Sequence, residues 1–259
     1  LINNDRILTN ETFKVINEIR DKGILFGIAS GRPLDEITNY YLDWGFDRQF
    51  DVLIGLNGSV LFDNINHTTN EYCLMKKEWI KEVFELMKQF DSNPFIYRDH
   101  HILAKVDDEI MHLSGTKSRK EVVVATSDDQ FYENDNAKIM FRVSKETMVQ
   151  VEKYFNYHPL DNYKGFKTQE TLFEFSHKDI SKAVALEKFC LINHLDLKDV
   201  WAFGDTTNDN EMLKISGRGI CLCNGSSDTL AVADVISDKS NDEDGFADYI
   251  NKYLLKKEN

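Results

Sequence analysis

The sequence predicts an α/β protein: a doubly wound, Rossmann-like parallel-sheet domain interrupted by an inserted α+β domain. Three observations predict it. Continuous apolar runs at 24–29, 52–55 and 200–203 each end in a small polar turn, as strands covered on both faces do. Helical periodicity separates such runs, and strand–helix–strand is the rhythm of parallel pairs joined by right-handed crossovers. After about residue 60, and until Ser181, that rhythm stops and short alternating segments take over, the pattern of an antiparallel α+β domain.

Phe13, Ile16 and Ile19 recur at helical spacing over 10–22, with Thr9 or Asn10 as N-cap and Gly23 as the stop. The run 24–29 then forms a strand that ends in Ser30-Gly31-Arg32-Pro33 and passes into a helix over 33–44. The strand 52–55 leads to Leu56-Asn57-Gly58. A strand at 71–75 and an amphipathic helix at 78–90 follow the change of pattern. The chain continues with strands at 95–98, 101–106, 138–143 and 172–175 and a helix near 145–155. From Ser181 the first rhythm returns: helix 181–194, strand 200–203, helix 208–216, strand 219–222, helix 226–233, strand 235–236, helix 244–255. The division that accounts for this is a parallel-sheet domain of 1–75 and 178–259 and an inserted domain of 76–177. Ligands of such sheets bind beyond the carboxyl ends of the strands. Ser30-Gly31-Arg32, Asn57-Gly58 and Gly204-Asp205 should therefore converge.

Composition narrows the partners. A formal charge of −13 repels nucleic acid and anionic lipid, which need clustered Lys and Arg. No apolar stretch reaches the roughly 18 residues of a membrane span, and no signal peptide is visible. Cys73, Cys190, Cys221 and Cys223 lack metal-ligand spacing and read as buried, reduced thiols of a cytoplasmic protein. A monomer or weak homodimer is expected. The histidines show no zinc-site spacing. Trp79, Phe95, Tyr97, Phe131 and Phe141 of the insert read as core.

Gly204-Asp205-Thr206-Thr207-Asn208-Asp209 carries the strongest chemical signal. Gly204 permits a sharp turn at a strand end, and Asp205 and Asp209 offer the hard oxygen donors that Mg²⁺ prefers. The competing reading, equally weighted on this hexapeptide alone, is that Asp205 or Asn208 caps the following helix. Ser30-Gly31-Arg32 supplies a hydroxyl and backbone amides suited to a phosphate, against a reading in which Ser30 is an N-cap and Pro33 opens the helix. Lys182 in the first turn of a helix opposes the helix dipole, which fits a cation placed there for use as a phosphate clamp; a lone lysine is otherwise a solvated surface residue. Asn57-Gly58 and Asn224-Gly225 are turn signals, and Asp242-Glu243-Asp244 reads as a solvated charge run before a helix.

In their order, the segment 25–32, Lys182, Gly204-Asp205-Thr206-Thr207-Asn208-Asp209, Asn224-Gly225 and Ser240-Asn241-Asp242-Glu243-Asp244-Gly245 resemble the Cof-like, subfamily IIB phosphatases of the haloacid dehalogenase superfamily, which carry a type 2B cap. The resemblance implies a Mg²⁺-dependent hydrolysis of a small phosphorylated metabolite, such as a sugar phosphate, through an aspartyl-phosphate. It implies Ser30, Gly31, Arg32, Lys182 and Asn208 at the phosphate, Lys182 and Asp209 in catalysis, and Asp205 and Asp209 at the metal. The inserted domain would be the cap that closes over the substrate and sets specificity. The family's Asp-x-Asp-Gly-Thr, with nucleophile and acid/base, is expected on a strand ahead of Leu1, because Leu1-Ile2-Asn3-Asn4 resembles the residues that come directly after that motif. Ala183 departs from the glycine common after this lysine. Two rival readings are a non-catalytic phosphate-binding or regulatory protein, and a phosphomutase of the same fold.

Overall fold

The computed structural model describes residues 1–98 and 100–256. Residues 257–259, which the sequence assigns to the parallel-sheet domain, lie outside that description. The chain forms two compact units, Leu1–Tyr72 with Ser181–Asn259 (unit 1) and Cys73–Ile180 (unit 2).

In unit 1, helix α1 (Asn10–Asp21) begins where the Thr9 hydroxyl accepts the Thr12 amide, and it buries Val15, Ile16 and Ile19 along one face. Strand β1 (Gly27–Ala29) pairs in parallel with β2 (Val52–Gly55), Ile28 opposite Leu53. The single helix predicted over 33–44 is instead two single turns, α2 (Leu34–Ile37) and α3 (Tyr40–Asp43). At the break the Thr38 hydroxyl bonds the Leu34 carbonyl and the Asn39 amide group bonds the Asp35 carbonyl, side-chain bonds that compete with a continuous ladder. The strand predicted at 71–75 is also displaced. β2 continues into an antiparallel meander of β3 (Val60–Asp63) and β4 (Thr68–Glu71).

Asp63 closes that hairpin. Its buried carboxylate accepts the amides of Ile65 and Asn66 and the side-chain amides of Asn66 and Asn193, the last two at 2.8 Å. Burial alone would raise its pKa, but the hydrogen bonds from Asn66 and Asn193 outweigh it and hold the pKa below the usual carboxylate value. A depressed folded-state pKa contributes stability that is present above the unfolded pKa, about 3.9, and is lost as pH falls through the folded one. Asp63→Asn should therefore cost about 1–3 kcal/mol near neutrality. In thermal melts from pH 7 to pH 3, the gap between wild type and variant should stay constant to about pH 5 and then narrow. A gap independent of pH would refute this role for the Asp63 charge.

Unit 2 runs α4 (Lys77–Met87), β5 (Ser92–Arg98), β6 (His101–Ala104), α5 (Glu109–Ser118), β7 (Glu121–Val124), β8 (Lys138–Val143), α6 (Lys145–Tyr157), β9 (Tyr163–Gln169) and β10 (Leu172–His177). Of these, α5, β7 and β9 do not stand out in the sequence. The strands form one sheet in the order β7-β6-β5-β8-β10-β9, antiparallel except for β6 and β7. Alternation along the strands sorts its faces. Ile139, Phe141, Phe173 and Phe175 join α4 and α6 in a core that includes Phe84, Phe131 and Phe155. Met140 and Leu172 point the other way, toward Met111 of α5. On that second face lie the buried pair Lys138–Glu174 at 3.0 Å, the Thr168 hydroxyl bonded to Glu174, and a buried Ser176 hydroxyl with no partner among the described residues.

The chain returns to unit 1 with α7 (Lys182–Ile192), β11 (Trp201–Gly204), α8 (Asn210–Ile215), β12 (Arg218–Cys221), α9 (Ser227–Val232), β13 (Val235–Ile236) and α10 (Gly245–Tyr253). β11, β12 and β13 pair in parallel. Leu53 packs with Ile16, Phe50 and Phe246, while its neighbours Val52 and Ile54 pack with Leu61, Phe189 and Leu213, so β2 is covered on both faces. The sequence predicts the same coverage for 24–29 and 200–203, and there the structure differs. Ile24 and Leu25 are exposed, and Ile28, Trp201 and Phe203 are half-buried. Among the described residues β1 pairs only with β2 and β11 only with β12. The thiols differ from expectation too: Cys190 and Cys221 are buried, Cys73 is half-buried and Cys223 is exposed. Among the described residues no helix is long and apolar enough to cross a membrane.

Candidate active site

The ends of β1, β2 and β11 and the start of α7 carry the polar residues that the sequence singles out, all in unit 1. Beyond β1, the Ser30 amide bonds the Ile54 carbonyl and the Ser30 carbonyl accepts the Asn57 amide. The Ser30 hydroxyl accepts the Arg32 amide at 3.1 Å, which leaves its own hydrogen to donate. Ser30 does not cap the next helix; Pro33 occupies that position. The Arg32 guanidinium, expected at a phosphate, turns to Glu36 at 3.1 Å. The positive charge at this strand end is thus already engaged by a carboxylate one turn along.

Asn57 is a residue whose part the sequence does not reveal. It adopts the left-handed conformation, φ 59°, which asparagine tolerates better than most residues. Its Oδ1 accepts the Asn208 side-chain amide at 3.0 Å, and it lies against Gly31. Gly58 follows at φ +105° and packs so closely on the chain at Ser181 that a Cβ would fall 2.0 Å from the Ser181 carbonyl oxygen. No side chain fits there, and this backbone contact brings the β2 loop against the start of α7. The signal for it is the dipeptide Asn57-Gly58 directly after an apolar strand.

Helix α7 begins at Ser181, whose hydroxyl accepts the Val184 amide. Lys182 is only 5% exposed, so the solvated-lysine reading fails. Its Nζ lies 2.6 Å from Oδ1 of Asp209, itself 4% exposed. Ala183 is buried and accommodated in the same turn. The other oxygen of Asp209 accepts the amides of Asp205 at 3.1 Å and Thr206 at 3.2 Å. Thr206 and Asp209 form a reciprocal capping box on the short turn 207–209, so neither Asp205 nor Asn208 is the cap. Gly204 makes this fold-back possible, since a Cβ there would stand 2.4 Å from the Asp209 Cβ.

These bonds divide the carboxylates. Both oxygens of Asp209 are held by protein donors, whereas Asp205 is exposed at the strand end and its carboxylate receives no hydrogen bond among the described residues. Lys182 balances Asp209 and leaves the Asp205 charge uncompensated nearby. Its field is felt by neighbours. Burial first, and Asp205 and Asp209 next, push the Cys221 thiol up to about 11.

The donor chemistry at Asp205, an unpartnered hard oxygen, fits Mg²⁺ in kind. Among the described residues no cluster of three or more His, Cys, Asp or Glu side chains could hold a metal. Ser30, Asn57, Asn208, Asp209 and Lys182 are thus linked through one set of contacts, with Asp205 beside them; only the Arg32 side chain turns away.

A sequence model described as haloacid dehalogenase-like hydrolase matches residues 1–250. The chain belongs to the haloacid dehalogenase-like hydrolases. This hydrolase is 22% identical over 266 residues to the 5-amino-6-(5-phospho-D-ribitylamino)uracil phosphatase YitU of Bacillus subtilis, covering 98% of this chain and 94% of that protein. Its fold is similar to that of a haloacid dehalogenase-like hydrolase from Bacteroides thetaiotaomicron, with a TM-score of 0.86, 19% identity, and coverage of 98% and 96%. It is likewise similar to the subclass IIB sugar phosphatase BT4131, with a TM-score of 0.79, 18% identity, and coverage of 98% and 95%.

Proposed function

We propose that this haloacid dehalogenase-like hydrolase is a Mg²⁺-dependent phosphatase of small organic phosphomonoesters. The observation that carries the reading is the division of labour at the end of β11: Asp209 binds Lys182 and two backbone amides, and Asp205 keeps its oxygens free of protein donors. Lys182 then presents a fixed ammonium to a phosphoryl oxygen, and the Ser30 hydroxyl donates to another. Such preorganised donors supply most of the effect in phosphoryl transfer. Asn57 and Asn208 hold the Ser30 and Asp205 loops in register. Asp205 would hold Mg²⁺, which when bound neutralises charge on the transferring group. Asp209 acts through Lys182 and the loop backbone, and Arg32 is left out.

The nucleophile and acid/base aspartates remain assigned to residues joined to Leu1. One feature supports this: β1 and β11 each have an edge without a partner among the described residues. The reaction is transfer of the phosphoryl group to the first aspartate, release of the alcohol, and hydrolysis of the acyl phosphate.

Specificity we assign to unit 2. Its Lys138–Glu174 pair and partnerless Ser176 hydroxyl suit an uncharged, hydroxylated organic group, as in the ribityl and sugar phosphates that the similar proteins are named for. The test is phosphate release by the full-length natural protein from a panel of sugar, polyol and aryl phosphates. Glu174→Gln and Ser176→Val should lower kcat/KM for the preferred polyol or sugar phosphate by roughly 10-fold or more, while p-nitrophenyl phosphate hydrolysis stays within about threefold. Uniform loss across the panel would remove unit 2 from specificity; no release from any monoester by wild type would end the phosphatase reading.

A further inference from the structure

In the run Asp242-Glu243-Asp244, which reads in the sequence as a solvated charge run, Asp242 and Asp244 are bonded to the first residues of the chain, as is Asn241 just before it. We propose that Asn241 is a positioning residue, which holds segment 1–9 in register with the Asp205 loop; its catalytic consequence rests on the phosphatase reading.

The bonds form a continuous path. The Ser226 amide donates to the Asp205 carbonyl at 2.9 Å, which ties the loop after β12 to the loop after β11. Two residues earlier, Asn224 and Asn241 exchange bonds: Asn224 Nδ2 donates to Asn241 Oδ1 at 3.0 Å, and the Asn241 amide donates to Asn224 Oδ1 at 3.2 Å. Asn241 Nδ2 then donates to the Ile2 carbonyl at 3.1 Å and to Asn4 Oδ1 at 3.2 Å. Asp242 accepts the Asn4 amide at 2.7 Å and also bonds the Asn4 side chain, and Asp244 bonds the Thr9 hydroxyl at the start of α1. Segment 1–8 has no helix or strand of its own. Apart from its own turn (Asn3 to Arg6 and Ile7) and the packing of Leu1 and Leu8 on the core of α1 and α10, these bonds fix it.

The chemistry of position 241 is narrow. One side-chain atom must accept from Asn224 while the other donates twice toward Ile2 and Asn4. A primary amide does both at once; a carboxylate cannot donate. The residue is itself fixed, because Ser240 and Glu243 close a capping box around its turn. Because the same path reaches the Asp205 loop through Asn224 and the Ser226 amide, a displaced segment 1–9 would alter the surroundings of the proposed metal ligand. Groups that orient a metal site in this way change affinity or activity by roughly 10- to 100-fold when removed.

The experiment compares wild type, Asn241→Ala, Asn241→Asp and, as a control for plain destabilisation, Asp63→Asn. Hydrogen exchange of segment 1–9 should accelerate by about 10-fold in Asn241→Ala and further in Asn241→Asp, with α7 and α10 protected as in wild type. In Asp63→Asn the segment should exchange as in wild type. In the full-length natural protein, kcat should fall roughly 10- to 100-fold and half-saturation by Mg²⁺ should rise, while KM for p-nitrophenyl phosphate stays within about threefold. Equal exchange of segment 1–9 in wild type and Asn241→Asp would overturn the holding role. A kcat no lower than that of Asp63→Asn would overturn the catalytic consequence. If wild type hydrolyses no phosphomonoester, it is the phosphatase reading that falls, and the exchange arm still decides the holding role on its own.

Discussion

Asp205→Asn is expected to leave the fold of the protein unchanged and to lower phosphomonoester hydrolysis by at least about 100-fold, because a metal–carboxylate contribution of several kcal/mol corresponds to two decades or more in rate. The two halves of this expectation have separate grounds. Asp205 is exposed and its carboxylate makes no hydrogen bond among the described residues, so the amide costs little stability, within about 0.5 kcal/mol. Its backbone contacts, the amide to Asp209 and the carbonyl to Ser226, do not depend on the side chain. The charge is what changes. Asn retains one neutral oxygen donor of nearly the same shape, which Mg²⁺ binds far less well than a carboxylate. Thermal melting should therefore coincide with wild type, Mg²⁺ titration should show weakened or absent binding, and p-nitrophenyl phosphate turnover should collapse. Chelation of wild type with EDTA should produce the same loss, reversed by added Mg²⁺. Turnover that survives both treatments would remove the metal-dependent mechanism.

Much of this arrangement is legible from residues alone, and the failures have physical causes. The run 52–55 reads as a strand because it is one, covered on both faces, and its hydrophobicity is unbroken. The α/β class is read from such runs and the helices between them. Helix α5 escapes because Ile110 and Leu113 face solvent, so its apolar residues mark no buried stripe. Strand β9 escapes because Lys164, Gly165 and Lys167 interrupt an edge strand that needs one partner only. In the site, Gly204 and Asp205 announce themselves by their place directly after a strand. What the sequence leaves open is how each carboxylate is used: an acidic pair four residues apart suits metal binding and capping alike, and only the bonds of Asp209 to Lys182, Asp205 and Thr206 separate the two. What Asn241 bonds to is hidden for a different reason. Its partners Ile2 and Asn4 are more than 230 residues away, and no local pattern encodes such a contact.

Replacing Lys182 should damage both activity and stability, and the two losses can be separated. Lys182→Ala removes an ammonium aimed from a buried position, and loss of one such preorganised group costs roughly 100- to 1000-fold in rate. It also leaves Asp209 buried without its counter-ion. Breaking a buried pair from one side typically costs about 3–5 kcal/mol. Here the penalty should fall at the lower end, because Oδ2 of Asp209 keeps the amides of Asp205 and Thr206. The double variant Lys182→Met with Asp209→Asn removes both charges and fills the space, so it should recover most of the stability, as apolar replacement of buried pairs does. It should recover none of the rate, since no cation then faces the phosphoryl group. Lys256→Ala, at an exposed position, should leave melting, vanadate affinity and kcat/KM as they are. Should Lys182→Ala melt lower but bind vanadate and turn over substrate like Lys256→Ala, the lysine is only the counter-ion of Asp209. Should the double variant regain rate together with stability, the loss in Lys182→Ala was unfolding and not chemistry. Recovery of stability alone, with the rate still two or more decades down, assigns Lys182 to the phosphoryl group.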